Sequence, residues 1–279
     1  MNQARLSNEK LNIVTYFQWL RRSMKPLPAA LALGVLPAAC AVRTEPVPSA
    51  LLATARQLVV VTTPDWNATI GTLQRFERPS SGGAWVSIGE SVPVVVGRSG
   101  IAWGVGFDSV GREGPHKREG DGKAPAGIFP LDTVFGFAPR EAAPEVRGPY
   151  VQLLSGTDCV DDTASSHYNT VVDKSNVAAV DWNSAEHMRQ VEQYKVGVIV
   201  GYNARPPVKG RGSCIFLHIW NGPASHTAGC TALDEGKLRE LIVWLEPGRR
   251  PLLVQLTRDE YAGLRKSWGL PDLVSVVAR

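Results

Sequence analysis

Between Ser213 and Leu233 the chain reads Ser213-Cys214-Ile215-Phe216-Leu217-His218-Ile219-Trp220, then Asn221-Gly222-Pro223-Ala224-Ser225-His226, then Thr227-Ala228-Gly229-Cys230-Thr231-Ala232-Leu233. This predicts a strand over Ser213–Trp220, a Gly/Pro turn, and a tight Gly-Cys corner leading into a helix. Such an order restricts the fold, because the strand must be followed by a reversal that brings its C-terminal histidine back toward the cysteine. A thiol is a strong nucleophile only as the thiolate, and a neighbouring imidazole can take its proton. His218 and Cys230 are therefore a candidate base and nucleophile, although an unpaired cysteine is more often a small buried hydrophobe.

The wording of the corner is more specific than the pair. Thr227, Gly229 and Cys230, with His218 upstream, resemble the catalytic motif of the L,D-transpeptidase (YkuD-like) family, a strand histidine followed by Ser/Thr-x-Gly-Cys. A second match lies far upstream, where Gly120-Asp121-Gly122-Lys123-Ala124-Pro125-Ala126-Gly127-Ile128-Phe129-Pro130 is similar to the family's Thr-Pro-x-Gly-x-Phe segment. The resemblance spans roughly Gln57 to Leu256. It departs from the common His-Gly-Cys-x-Arg corner at Ala228 and Ala232, which marks a divergent branch and removes an arginine that would anchor substrate.

What the resemblance implies is a mainly β (α+β) fold, a YkuD-like β-sandwich of mixed sheets with a helix after the catalytic cysteine. It also implies an exported cysteine acyltransferase acting on peptidoglycan stem peptides through a thioester. A donor tetrapeptide would release a D-amino acid and then be cross-linked to an amine. A hydrolase of the same fold and a non-catalytic wall-binding module are the other classes; intact His218 and Cys230 argue against the second. The oxyanion would be met by backbone N–H groups of Gly229 and Cys230, with Gly229 allowing the tight turn. The start of the following helix would favour the thiolate. The carbonyl of Ile219 would orient the imidazole, Asp161 and Asp162 being the alternatives.

Other candidate substrate contacts are Thr227, His226 on the rim, and the polar stretch with His167, Tyr168 and Asn169. A surface loop tied down by Cys159 is an equal reading of that stretch. His218, His226, Cys230 and His187 do not have the spacing of a standard zinc signature, so neither a metal nor another cofactor is expected. Gly104-Val105-Gly106 lacks the Gly-Lys-Ser/Thr ending of a phosphate loop. Lys117 and Arg118 read as a solvated surface pair.

The net charge of +4 sits at the N-terminus. Arg5, Lys10, Arg21, Arg22 and Lys25 face one acid, Glu9, in residues 1–40, leaving 25 basic and 25 acidic residues beyond. No nucleic-acid partner is suggested. Lys25 is followed by 17 uncharged residues, Pro26 to Val42, containing three prolines. A basic start, a short apolar run and a small-residue end describe a secretory signal over 1–40, with an uncleaved anchor helix disfavoured by length. Met24 is an alternative start, and Arg21-Arg22 is a weak twin-arginine feature. Ala38-Ala39-Cys40 resembles a lipobox, with Pro37 in place of its leucine, so the alternatives are a lipid anchor at Cys40 and ordinary cleavage after Ala39 or Ala41. The expected location is the periplasm or cell envelope.

Export implies an oxidising compartment. Without Cys40, three thiols remain, which fits one disulfide and one free thiol. Cys159–Cys214 is the pairing that spares Cys230. By alternation Cys214, Phe216 and His218 share one strand face, which would bring Cys214 near the site.

Along the chain, 41–56 reads as a linker, 57–256 as the catalytic domain and 257–279 as a tail with a short helix. Strands are expected at Gln57–Thr62, Ala84–Ile88, Val92–Val96, Gly127–Leu131, Tyr150–Leu154, Gly197–Asn203 and Pro251–Leu256. Asp65–Gly83 reads as a polar hairpin or loop, and Gly97–Lys123 as a long cleft-wall loop. A short helix is expected at Asp181–Met188. After the corner, Leu238, Leu241, Ile242 and Leu245 form one helical stripe, with Glu235 in the first turn and Pro247-Gly248 at the end.

Overall fold

A computed structural model describes residues 47–105 and 113–274. The signal segment, Cys40, the first part of the linker, Gly106 and the last five residues of the tail lie outside the described residues.

The described chain is mainly β with mixed pairing, the class expected from the sequence. Strands β1 (Gln57–Thr63), β2 (Ile70–Glu77), β3 (Val86–Val95), β4 (Ile101–Trp103), β5 (Ala124–Pro130), β6 (Thr133–Gly136), β7 (Tyr150–Gln152), β11 (Val196–Ile199), β12 (Phe216–Ile219), β13 (Thr231–Leu233) and β14 (Leu252–Thr257) form one sheet. Its order is β4-β5-β14-β1-β2-β3-β13-β12-β11-β6-β7. A smaller sheet, order β10-β8-β9, combines β8 (Thr157–Val160), β9 (Val171–Asp173) and β10 (Ala185–His187).

The central position of β1 follows from its composition. QLVVVTT is buried along its whole length, so both faces of the strand are covered, and its β-branched residues suit that environment. It runs parallel to β14 and antiparallel to β2. Helix α2 (Glu235–Trp244) buries Leu238, Leu241 and Ile242, and Leu245 just beyond it is buried too. The Asp234 carboxylate caps it by accepting the Lys237 N–H. Helix α3 (Arg258–Trp268) buries Tyr261, Leu264 and Trp268. Thr257 caps its start and Gly269, at φ +65°, its end.

Several local readings change. Strand β2 lies within the supposed polar loop 65–83, and the two strands expected at 84–96 are one, bent opposite Leu73 and Arg75 by a register shift. The linker carries helix α1 (Val47–Thr54), whose C-terminal carbonyls at Leu52 and Ala53 are gripped by the buried Arg78 guanidinium. The long loop 97–123 contains β4. The helix expected at 181–188 is instead β10, paired antiparallel with β8.

Two apolar clusters fill the interior. The larger surrounds β1, β5 and β14 and receives α2 and α3. The smaller gathers Phe135, Leu153, Cys159, Met188, Tyr194, Cys214, Phe216 and Cys230. The candidate nucleophile is thus part of this second cluster.

Candidate active site

Strands β12 and β13 run parallel, with Leu217 opposite Thr231 and His218 opposite Ala232. Cys230 immediately precedes that ladder and so lies beside Phe216, whose N–H donates to its Sγ at 3.3 Å. The thiol in turn donates to the Cys214 carbonyl at 3.4 Å. Thr227 ties the corner from within: its hydroxyl donates to the Cys230 carbonyl at 2.7 Å and accepts the Gly229 N–H at 3.1 Å. Gly229 has φ +158°, and a Cβ there would lie 3.1 Å from the Lys123 carbonyl. A side chain there would crowd the backbone leading into β5, so part of the second sequence match lies against the corner.

His218 shares a face of β12 with Phe216 by alternation. Its Nδ1 lies 2.7 Å from the Ile219 carbonyl. A carbonyl can only accept, so Nδ1 carries the proton and Nε2 is left as the basic nitrogen. The edge of Tyr194 packs against the imidazole at a centroid separation of 5.2 Å.

Burial sets the resting protonation. His218 is 9% exposed, and desolvation lowers its pKa to about 4 despite the opposing Ile219 bond. Burial also pushes the Cys230 thiol well above its ordinary range, with the charge of Glu186 acting in the same direction. The free site therefore holds a neutral thiol and a neutral imidazole at pH 7. The helix term expected to favour the thiolate is absent, since β13 intervenes and α2 begins only at Glu235.

His218, Thr227, Gly229 and Cys230 open into a cavity of about 280 Å³. Ala228 is at its mouth, whereas Ala232, the other departure from the common corner, is fully buried. The opposite walls bring Arg98, Lys117, Glu119, Asp161, Glu186 and Tyr194. Lys117 is no surface residue: it is 3% exposed, and its ammonium binds Asp121 at 2.6 Å and the Arg118 carbonyl at 2.7 Å. Asp121 also accepts the N–H groups of Arg118 and Lys123, closing a tight loop with the lysine inside it.

Cys159 and Cys214 are joined by a disulfide, and Cys230 is a free thiol. Cys214 precedes β12 with φ +55°, so it reaches the site through its carbonyl rather than by strand alternation. Asn169 holds that turn: its carbonyl oxygen accepts the Cys214 N–H, and its amide donates to the carbonyls of Tyr202 and Asn203. Tyr168 is buried and donates to Glu119, which also accepts the Ser213 hydroxyl at 2.9 Å. His167 packs on Trp182. None of these three lines the cavity; they brace its wall. His226 is exposed and likewise outside the lining. Asp161 lines the cavity and Asp162 caps backbone at Ala164 and Asn183, but neither is bonded to His218.

His187 pairs with Asp158 rather than with His218 or Cys230. No group of three or more His, Cys, Asp or Glu arranged to hold a metal occurs among the described residues. Arg98, Glu186 and Tyr194 were not singled out by any sequence motif. They come from three separate segments and meet only in the fold.

A buried thiol and a basic imidazole nitrogen line one cleft. Residues 83–254 match the family model described as L,D-transpeptidase catalytic domain, YkuD. That match covers more than half the chain, and the chain belongs to this family of peptidoglycan enzymes. No curated protein and no solved structure matches it.

Proposed function

We propose that the protein is an exported cysteine acyltransferase that acts on peptidoglycan stem peptides by an L,D-transpeptidase reaction. The observation that carries this reading is the placement of Cys230 and His218 on adjacent parallel segments of one cleft, with Nδ1 of the histidine already committed to Ile219.

As substrate enters, His218 Nε2 takes the thiol proton while sulfur attacks the donor carbonyl. The resulting oxyanion needs backbone donors. The Gly229 N–H is held by Thr227, which leaves the Cys230 N–H as the donor from the corner. Collapse breaks the C–N bond; the departing D-amino acid takes the proton from the imidazolium. An amine then attacks the thioester, gives its proton to His218, and the released thiolate regains it.

Incubation with purified stem tetrapeptides and mass spectrometry tests the assignment. Cross-linked dimers are expected; trimmed tripeptide alone would assign the hydrolytic reaction, and no turnover would remove both. Export is tested by N-terminal analysis of the mature chain, which should begin near Cys40–Glu45. A full-length cytosolic product would contradict it.

A further inference from the structure

Arg98 stands just beyond β3 and is fastened by its backbone to the corner that carries the thiol. Its N–H donates to the Thr227 carbonyl at 2.8 Å, the Thr227 N–H donates to the Val96 carbonyl at 3.0 Å, and Gly97 pairs with Thr227 in a parallel bridge. Thr227 in turn donates its hydroxyl to the Cys230 carbonyl. The Arg98 side chain runs over Gly122, where a Cβ would come within 2.9 Å of its Cγ, Nε and Cζ. A bare backbone at φ +69° keeps that path open, a conformation glycine adopts freely.

Arg98 is exposed and lines the cavity with Cys230 and His218. A guanidinium carries five N–H donors. Among the described residues it makes one hydrogen bond, from Nη2 to the Gly120 carbonyl at 3.5 Å, and pairs with no carboxylate. The other charged groups of the lining are held within the protein: Lys117 by Asp121, Glu119 by Tyr168 and Ser213, Asp161 by Ser184, and Glu186 by Tyr194. Arg98 therefore has donors and charge to spare for an anion that enters the cleft.

We propose that Arg98 binds the free terminal carboxylate of the acyl donor and so restricts the enzyme to peptides in which the scissile bond is the last one. This inference rests on the stem-peptide reading. The departing D-amino acid carries its carboxylate one residue beyond the attacked carbonyl, so a cation that receives it must stand beside the corner, as Arg98 does. The planar guanidinium matches a carboxylate through two parallel hydrogen bonds. A terminal amide offers it one oxygen and no charge.

The test is protection of Cys230 in the full chain from iodoacetamide, read by mass spectrometry on the Cys230 peptide. The competitors are a stem tetrapeptide with a free terminal carboxylate and the same peptide ending in a carboxamide. With the parent, the acid should protect at about tenfold lower concentration than the amide, as expected for a hydrogen-bonded charged pair. Arg98→Gln should bring the acid level with the amide, and Arg98→Lys, which keeps the charge without the fork, should fall between. Equal protection of the parent by acid and amide, or a preference for the acid that survives Arg98→Gln, would overturn the proposal while leaving the stem-peptide reading in place. No protection by either peptide would overturn both. If Arg98→Gln does not fold, the parent and Arg98→Lys decide.

Discussion

Removing the Cys159–Cys214 bridge, by the double substitution Cys159→Ala/Cys214→Ala, should both destabilise the protein and loosen the nucleophile. The bridge closes a loop of 55 residues. Releasing it restores denatured-state freedom worth about 4 kcal/mol on the loop-entropy relation. For a domain of this size that corresponds to a fall in Tm of roughly 8–16 °C. The loss has a local component too. The Cys214 carbonyl accepts the Cys230 thiol, and the Cys214 N–H is pinned to Asn169. With the cross-link gone, the turn at φ +55° is held only by hydrogen bonds, and Cys230 gains access to water. Urea denaturation monitored by tryptophan fluorescence gives the first quantity, and iodoacetamide labelling of Cys230 in native buffer the second, which should rise. A loss of stability under about 1 kcal/mol would refute the loop argument, and unchanged labelling would refute the coupling between bridge and nucleophile.

Three further outcomes follow from the same geometry. His218 has a folded pKa of about 4 against about 6.5 unfolded, so the native state binds fewer protons; stability should hold above pH 6.5 and fall by up to about 3 kcal/mol as pH drops toward 4. His218→Gln should flatten that limb in denaturation curves taken across the range. Glu186 shifts the other way, so its cost appears as pH rises from the ordinary carboxyl range through about 7, and Glu186→Gln should raise Tm more at pH 8 than at pH 5. Asn169→Ala should cost about 2–4 kcal/mol, since it deletes three hydrogen bonds and places alanine at φ +60°. The folded fraction should keep its Michaelis constant for stem peptide, because Asn169 braces the wall instead of lining it.

The parts of this architecture that local pattern can express were legible in the sequence. The β-branched run of β1, the apolar stripe of α2 and the Ile219 carbonyl beside His218 all depend on neighbours in the chain. What pattern obscured were elements defined by partners far away. Strand β2, Ile70–Glu77, is only partly buried and polar at several positions; its identity comes from pairing with β1 and β3. Residues 185–187 are a strand because β8 offers them an edge. Thr231–Leu233 extend beside β12 before a helix can start, so the expected dipole never reaches Cys230. Lys117 is buried despite its charge because Asp121 folds back over it four residues later. Glu186 and Tyr194 carry no motif at all. The thiol–imidazole pair could be read as a motif, but its neutral resting state follows from burial, which only the assembled fold supplies.

Whether Cys230 is acylated is the question on which everything else depends. Rapid mixing with a stem tetrapeptide, followed by acid quench and intact-mass measurement, addresses it directly. A thioester mechanism requires an adduct equal to the tetrapeptide less its terminal D-amino acid, mapped to the Cys230 peptide and absent from Cys230→Ser. Turnover by Cys230→Ser at the parent rate, or an adduct on any other residue, would contradict it.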